Sequence, residues 1–268
     1  MRAALVLLAC AVGAALSAAA DRDDDELSKF APDSNYLTYP GFLLGRPDHT
    51  GCNRWTLQRL DKNSRKGPGD RNKSSWHVDA HALPERHGRG IDYEGQDGKI
   101  AKGHTSPAQA HKRSQREMDA CHTYANAVPQ YQKVNAQSYE HVEERGFDLV
   151  PEEGGFVLVI TIPIWKPQQK VTTGVEHTEK SRLIIDAIGP DQLWMPHYLA
   201  RSYVVFNEAG KPIHTESYLV PNSDSAAKEE ISTFLISIDD LEFASGLELW
   251  NVAGKDLLPA ELEAARGG

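Results

Sequence analysis

Apolar residues along this chain fall mostly in short runs separated by Gly, Pro, Asn and Asp, a pattern of strands joined by turns rather than of long amphipathic helices. Residues 36–44 begin a sheet, 55–60 read as a short strand, and 99–103 and 124–128 are extended. The β-branched run FVLVITI over 156–162 is a buried strand, with further strands expected at 181–188, 201–207, 216–220 and 232–237. Helices are expected in three places. One covers 107–120, with Ser106 as N-cap and Pro107 in the first helical position. A second is capped by Asn135 and runs to about Arg145, where Gly146 ends it. A short third helix covers 239–244. The polar, basic stretch 61–75 is a loop. Residues 76–97, with three His and no periodicity, form a long irregular connection of the kind that carries or supports a site. Many strands and few helices predict an α+β fold, mixed, with a mainly antiparallel sheet core.

The first 20 residues read as an export signal: a charged start at Arg2, an apolar stretch over 3–16, and small residues at 17–20 for cleavage. An acidic, flexible lead-in over 21–35, one domain over 36–250 and a C-terminal tail over 251–268 complete the expected organisation. No later segment reads as transmembrane, so a secreted or periplasmic protein without membrane contact is expected, as a monomer or homodimer. Cys52 and Cys121 remain after processing; an oxidising compartment permits a bridge between them, and geometry decides it. The net charge of −9 argues against a nucleic-acid partner until its distribution is considered. Residues 52–116 hold 14 Lys or Arg against 7 Asp or Glu, a local balance of +7. A basic face on an acidic body suits a polyanion, because affinity follows the local field.

The chemistry concentrates between Lys102 and Glu143. His104 follows Gly103 at the end of a strand, Asn126 comes 22 residues later, Asn135 9 further on, and Glu143 8 beyond that. A neutral His104 can take a proton from water and so produce a nucleophile. Asn135 offers an amide oxygen to a hydrated Mg²⁺, and Glu143, about two helical turns on, lies on nearly the same face. Lys102 supplies positive charge for a phosphate. Singly, each reads better as an ordinary surface residue or helix cap; their order and spacing are what point to metal-assisted phosphodiester cleavage.

With those residues in place, the chain resembles the DNA/RNA non-specific endonuclease family, the ββα-metal or His-Me finger nucleases. The family's Asp-Arg-Gly-His motif followed by Pro and Ala corresponds to Ala101-Lys102-Gly103-His104 with Pro107-Ala108, and its Ser-Asn-x-x-Pro-Gln segment to Ala125-Asn126-Ala127-Val128-Pro129-Gln130. Its metal-ligand Asn corresponds to Asn135 and its helix Glu to Glu143. Trp55-Thr56-Leu57, the stretch Asp70-Arg71-Asn72-Lys73-Ser74-Ser75-Trp76, Tyr218-Leu219-Val220-Pro221-Asn222 and Ser245-Gly246-Leu247-Glu248-Leu249 extend the similarity over about residues 36–250. The resemblance implies a ββα-metal active-site motif in which His104 is the general base, Lys102 meets the scissile phosphate, and Asn126 supports the site by hydrogen bonding. It further implies one Mg²⁺, with Mn²⁺ able to substitute, held by Asn135 with Glu143 positioning a metal water. The substrates implied are DNA and RNA, cut with little base preference.

Two departures stand out: the motif Asp is Ala101, and its Arg is Lys102, which keeps the charge but loses the two-pronged phosphate contact. An active exported endonuclease is the expectation, and a catalytically impaired protein that binds nucleic acid without cutting it is the alternative. A zinc protein built from His77, His81, His87 and the Cys121-His122 pair fits no compact zinc spacing, and no Gly-x-Ser-x-Gly elbow is present.

Overall fold

In a computed structural model of the chain, the structure describes residues 26–82, 87–166, 168–172, 180–184, 186–252 and 255–256. The expected export signal, residues 21–25 and most of the tail lie outside the described residues; the rest of the expected flexible lead-in is instead docked on the body, with Leu27 buried and Asp33 Oδ2 accepting from Arg54 and Trp55. In chain order the strands are β1 (Tyr36–Tyr39), β2 (Phe42–Gly45), β3 (Thr56–Leu60), β4 (Ile100–His104), β5 (Ala127–Tyr131), β6 (Phe156–Ile164), β7 (Gln168–Thr172), β8 (Lys180–Ile184), β9 (Ala187–Ile188), β10 (Leu193–Trp194), β11 (Tyr198–Phe206), β12 (Pro212–Pro221), β13 (Leu235–Ile236), β14 (Asn251–Val252) and β15 (Lys255–Asp256). The helices are α1 (Gln115–Cys121), α2 (Gln132–Asn135), α3 (Ser138–Asp148) and α4 (Ile238–Ser245).

Seven strands form one antiparallel sheet in the order β1-β2-β3-β6-β11-β12-β13, and the remaining strands pair as four two-stranded ribbons. The middle of the sheet is covered on both faces, which is why FVLVITI shows no alternation. Val157, Val159, Leu199 and Tyr203 face α3, with Tyr139 and Val142, while Leu158, Ile160, Ala200 and Val204 face α4, with Ile238 and Leu241. A smaller cluster joins Tyr39 and Phe42 of the first hairpin to Met118 and Cys121 of α1. The α+β architecture with a mainly antiparallel sheet agrees with the expectation from sequence.

Several boundaries differ, each for a local reason. The helix expected over 107–120 is two pieces: a 3-10 turn at Ala108–His111, then α1 starting at Gln115. Ser114, three residues before Glu117, caps α1 through Oγ at 3.1 Å from the Glu117 N–H, whereas Ser106 spends its hydroxyl on Gln58 and His111. Asn135 does not cap the long helix; it ends α2, and Gln137 precedes α3. Gly146 does not stop α3, which continues to Asp148. It lets the helix approach β11, since a Cβ there would lie 2.6 Å from the Tyr203 ring. The extended segment near 124 begins only at Ala127, after a 3-10 turn. Residues 232–237 form a 3-10 turn and the two-residue β13. Cys52 and Cys121 are both buried thiols, and no disulfide joins them.

Candidate active site

Strand β4 ends at His104, antiparallel to β5, with Lys102 opposite Pro129 and His104 opposite Ala127. Alternation therefore projects Lys102 and His104 from one side of the ribbon and Ala101 and Gly103 from the other. On the second side Gln130 lies across Gly103, where a Cβ would meet its side chain at 2.1 Å. Strand packing, rather than the approach of a ligand, requires glycine at that corner. On the first side stands Trp76, delivered by a parallel bridge in which the His77 N–H donates to His122 O at 3.1 Å and the Tyr124 N–H to His77 O at 2.9 Å. The Trp76 ring lies 4.6 Å from that of His104 and 5.5 Å from that of Tyr124. Lys102 Nζ sits 5.6 Å over Trp76 and 5.8 Å over Tyr124, a cation held on two aromatic faces.

The turn behind His104 is pinned by buried amides. Asn126 Oδ1 accepts from Thr105 Oγ1 at 2.8 Å and from the Ser106 N–H at 2.9 Å, and its Nδ2 donates to Ser106 O at 2.9 Å and Cys121 O at 2.8 Å. Asn53 Nδ2 adds bonds to Thr105 Oγ1 and Ala125 O. Asn126 is fully buried and fully bonded, so it orients His104 through the backbone and does not reach into a cleft.

His104 itself is half-buried, and its Nε2 is buried without a hydrogen-bond partner. Burial, then the nearby His122, Arg71, His111 and Lys102, pushes its pKa well below the usual imidazole value. The ring is thus a neutral base in a positive field. Glu143 projects from α3 with its side chain 15% exposed, 3.4 Å from the guanidinium of Arg201. Burial raises its carboxyl to about 7, against the opposing charge of Arg201, while Glu140 and Glu144 raise it and Arg71 lowers it. Arg201 is fully buried, directly opposite Thr161 in the sheet. It donates to Thr161 Oγ1 at 3.1 Å and to Thr105 O at 3.0 Å, so one guanidinium ties Glu143 to the residue after His104. Asn135 closes α2, which packs on β4 and β5; it is half-buried, and its amide takes no hydrogen bond among the described residues.

Lys102, His104, Asn126 and Glu143 are therefore gathered around one corner, with Asn135 on the adjoining turn. Arg71, Trp76 and Arg201 belong to the same neighbourhood and were not singled out from sequence. An Arg inside the apolar run LARSYVVF was the available signal for Arg201. Expecting the strand to begin at 201 put that charge at a solvated end, whereas β11 begins at Tyr198. His77 and His87 do not join Cys121 and His122; those two lie instead beside His104.

The model of the DNA/RNA non-specific endonuclease family matches residues 28–256. The chain belongs to that family. Among curated members it is 26% identical over 193 residues to bovine (Bos taurus) endonuclease G, mitochondrial, covering 72% of this chain and 61% of that protein. It is likewise 26% identical over 196 residues to human (Homo sapiens) nuclease EXOG, mitochondrial, covering 72% of this chain and 51% of that protein. The chain thus spans between about half and three fifths of these relatives' lengths. A crystal structure of the EndoG/EndoGI complex, described as showing the mechanism of EndoG inhibition, superposes with a TM-score of 0.75 at 21% identity, over 88% of this chain and 92% of that one. That likeness confirms the fold of this family member.

Proposed function

We propose that the protein is an exported, divalent-metal-dependent endonuclease that hydrolyses phosphodiester bonds of DNA and RNA. The observation that carries this reading is His104, a neutral base at the end of β4 surrounded by the positive charges of Lys102 and Arg71. In this mechanism His104 removes a proton from the attacking water, Lys102 and Arg71 neutralise the phosphate oxygens, and Asn126 holds the turn that aims His104. The donors on Asn135 and Glu143 fit a hard cation: an unbonded amide oxygen and a carboxylate whose contact with Arg201 is a loose 3.4 Å. Mg²⁺ held there, or Mn²⁺ in its place, would supply charge to stabilise the departing oxygen. The basic excess over 52–116 supports recognition through the phosphate backbone, without base preference. Export rests on the pattern of residues 1–20, and the amino terminus of the mature protein tests it.

Supercoiled-plasmid cleavage with Mg²⁺ or EDTA, beside His104→Ala, tests the activity. Metal-dependent nicking lost in the variant is expected; equal nicking by His104→Ala would remove His104 from the mechanism. The alternative, a nucleic-acid-binding protein without turnover, draws on one feature. Ala101 pairs with Gln130, and both amide atoms of Gln130 are buried without partners, so the motif Asp's place is filled by a methyl group beside unsatisfied groups. Salt-sensitive binding with no cleavage of DNA or RNA under Mg²⁺ or Mn²⁺ would favour it.

A further inference from the structure

The cluster behind His104 carries a second chemistry. One donor atom each from His104, Cys121 and His122 lies within 4.8 Å of the others. Zinc bond lengths of about 2.0–2.1 Å to nitrogen and about 2.3 Å to sulfur put tetrahedral ligands roughly 3.3–3.7 Å apart, so side-chain rotation is needed to close the site. We propose that His104, Cys121 and His122 form a binding site for a borderline-soft divalent ion such as Zn²⁺, distinct from the Asn135 and Glu143 oxygens, and that its occupation switches the enzyme off by engaging the base. The inhibitory half rests on the proposed nuclease mechanism; the binding half does not.

Each ligand is prepared in a different way. His122 Nδ1 lies 2.7 Å from Met118 O and 3.4 Å from Cys121 Sγ; a carbonyl can only accept, so while the bond to Met118 holds, Nδ1 carries the proton and Nε2 is the nitrogen that must turn to meet a metal. Fixing the tautomer through such a carbonyl is how metal-binding imidazoles are oriented. His104 stays neutral, and its Nε2 is a buried ring nitrogen that no protein group satisfies. Cys121 Sγ lies 3.1 Å from Met118 O, and burial pushes its thiol up to about 12, so the site is not a preformed thiolate. Binding must therefore expel that proton to solvent as the metal–sulfur bond forms, and affinity must rise with pH. Arg71 faces the cluster and opposes a cation, Asp119 favours one, and a single thiolate leaves part of the ion's charge uncompensated. A regulatory site of moderate affinity follows, rather than a permanent structural one.

Selectivity comes from the donors. Two imidazoles and a sulfur suit Zn²⁺ or Co²⁺ and disfavour Mg²⁺, which prefers oxygen and keeps its waters. Trp76, 4.6 Å from His104 and 5.4 Å from His122, lies against both rings and is half-buried, so its rotation is the way in.

The test uses the full mature chain. Co²⁺ is titrated into wild type, Cys121→Ser and His122→Phe, each checked for folding by circular dichroism, and the sulfur-to-cobalt charge-transfer band is followed. Plasmid nicking is then measured at fixed Mg²⁺ with rising Zn²⁺. We expect the band in wild type, its displacement by Zn²⁺, its absence in folded Cys121→Ser, and about tenfold or more extra Zn²⁺ needed to inhibit His122→Phe. Absence of the band from wild type, or its persistence in Cys121→Ser, would overturn the site. Equal Zn²⁺ sensitivity of wild type and both variants would overturn the switch. A cobalt band in a protein with no Mg²⁺-dependent nicking would uphold the site while removing the nuclease reading on which the switch depends.

Discussion

Besides the surface pair of Glu144 with Arg65, helix α3 carries two contrasting carboxylate–arginine pairs, one facing the site and the other facing the edge of the sheet. On the sheet side Arg145 holds Glu216 with two bonds, Nε to Oε2 at 3.0 Å and the second guanidinium nitrogen to Oε1 at 2.5 Å, and Tyr218 and His214 add theirs. On the site side Glu143 meets Arg201 at 3.4 Å, and Arg201 spends its bonds on Thr161 and Thr105 instead. The consequence appears in the protons. Burial works against Glu216, yet its hydrogen bonds bring it down to about 2, while burial of Glu143 wins and brings it up to about 7. The satisfied pair fastens helix to sheet. The looser one leaves Glu143 with a raised carboxyl, which under the proposed mechanism is the group offered to a cation.

If that contrast is right, substitutions on the site side change turnover and those on the sheet side change stability. The largest effect belongs to His104→Ala, which should lower the nicking rate by about 10²–10⁴-fold while leaving the thermal midpoint near that of wild type. Asn126→Ala comes next and should disturb both. It strands the N–H of Ser106 and two carbonyls in the interior, costing about 1–3 kcal/mol, and frees the turn behind His104, slowing cleavage by about tenfold or more. Denaturant melts read beside initial rates separate the two. A rate that falls only as far as the folded fraction falls would make Asn126 a purely structural residue.

The same division explains what could be read from sequence. Burial on both faces of β6 and β11 leaves a long apolar record in the chain, and the sheet was legible because the hydrophobic effect is non-directional and shows in composition alone. His104, Asn126, Asn135 and Glu143 were singled out by their spacing and by resemblance to a family, since nothing local distinguishes a candidate base from a surface His. Arg71 and Trp76 entered only within a segment resembling the family, and Cys121 and His122 only as a zinc set with His77, His81 and His87, because chain pairings far apart in sequence bring them beside His104, such as the His77–Thr123 bridge that places Trp76. The cap at Asn135 was misread because Asn suits either end of a helix, and only the turn between α2 and α3 shows that Asn135 ends one helix instead of starting the next.

The smallest effects are the most discriminating, because the two carboxylates bend the stability–pH curve in opposite directions. Glu143 is raised from 4.5 to about 7 in the folded state. Between those values the unfolded chain has lost the proton and the native state keeps it, so stability falls as pH rises and then levels off. The full penalty above about pH 7 is up to about 3 kcal/mol, and Glu143→Gln should abolish that fall in metal-free buffer. Glu216 is lowered from 4.5 to about 2, so its contribution is complete above pH 4.5 and is lost as pH falls toward 2. Its partner Arg145 is 36% exposed, and solvent screening reduces the expected contribution to about 1 kcal/mol. Glu216→Gln should therefore be less stable than wild type at neutral pH, converge with it near pH 2, and cleave at an unchanged rate per folded molecule. Urea melts of wild type and both variants across pH 2–8 in EDTA supply the comparison. A Glu216→Gln protein that loses turnover while keeping its stability would show that the sheet-side pair also serves the chemistry, and the division along α3 would fail.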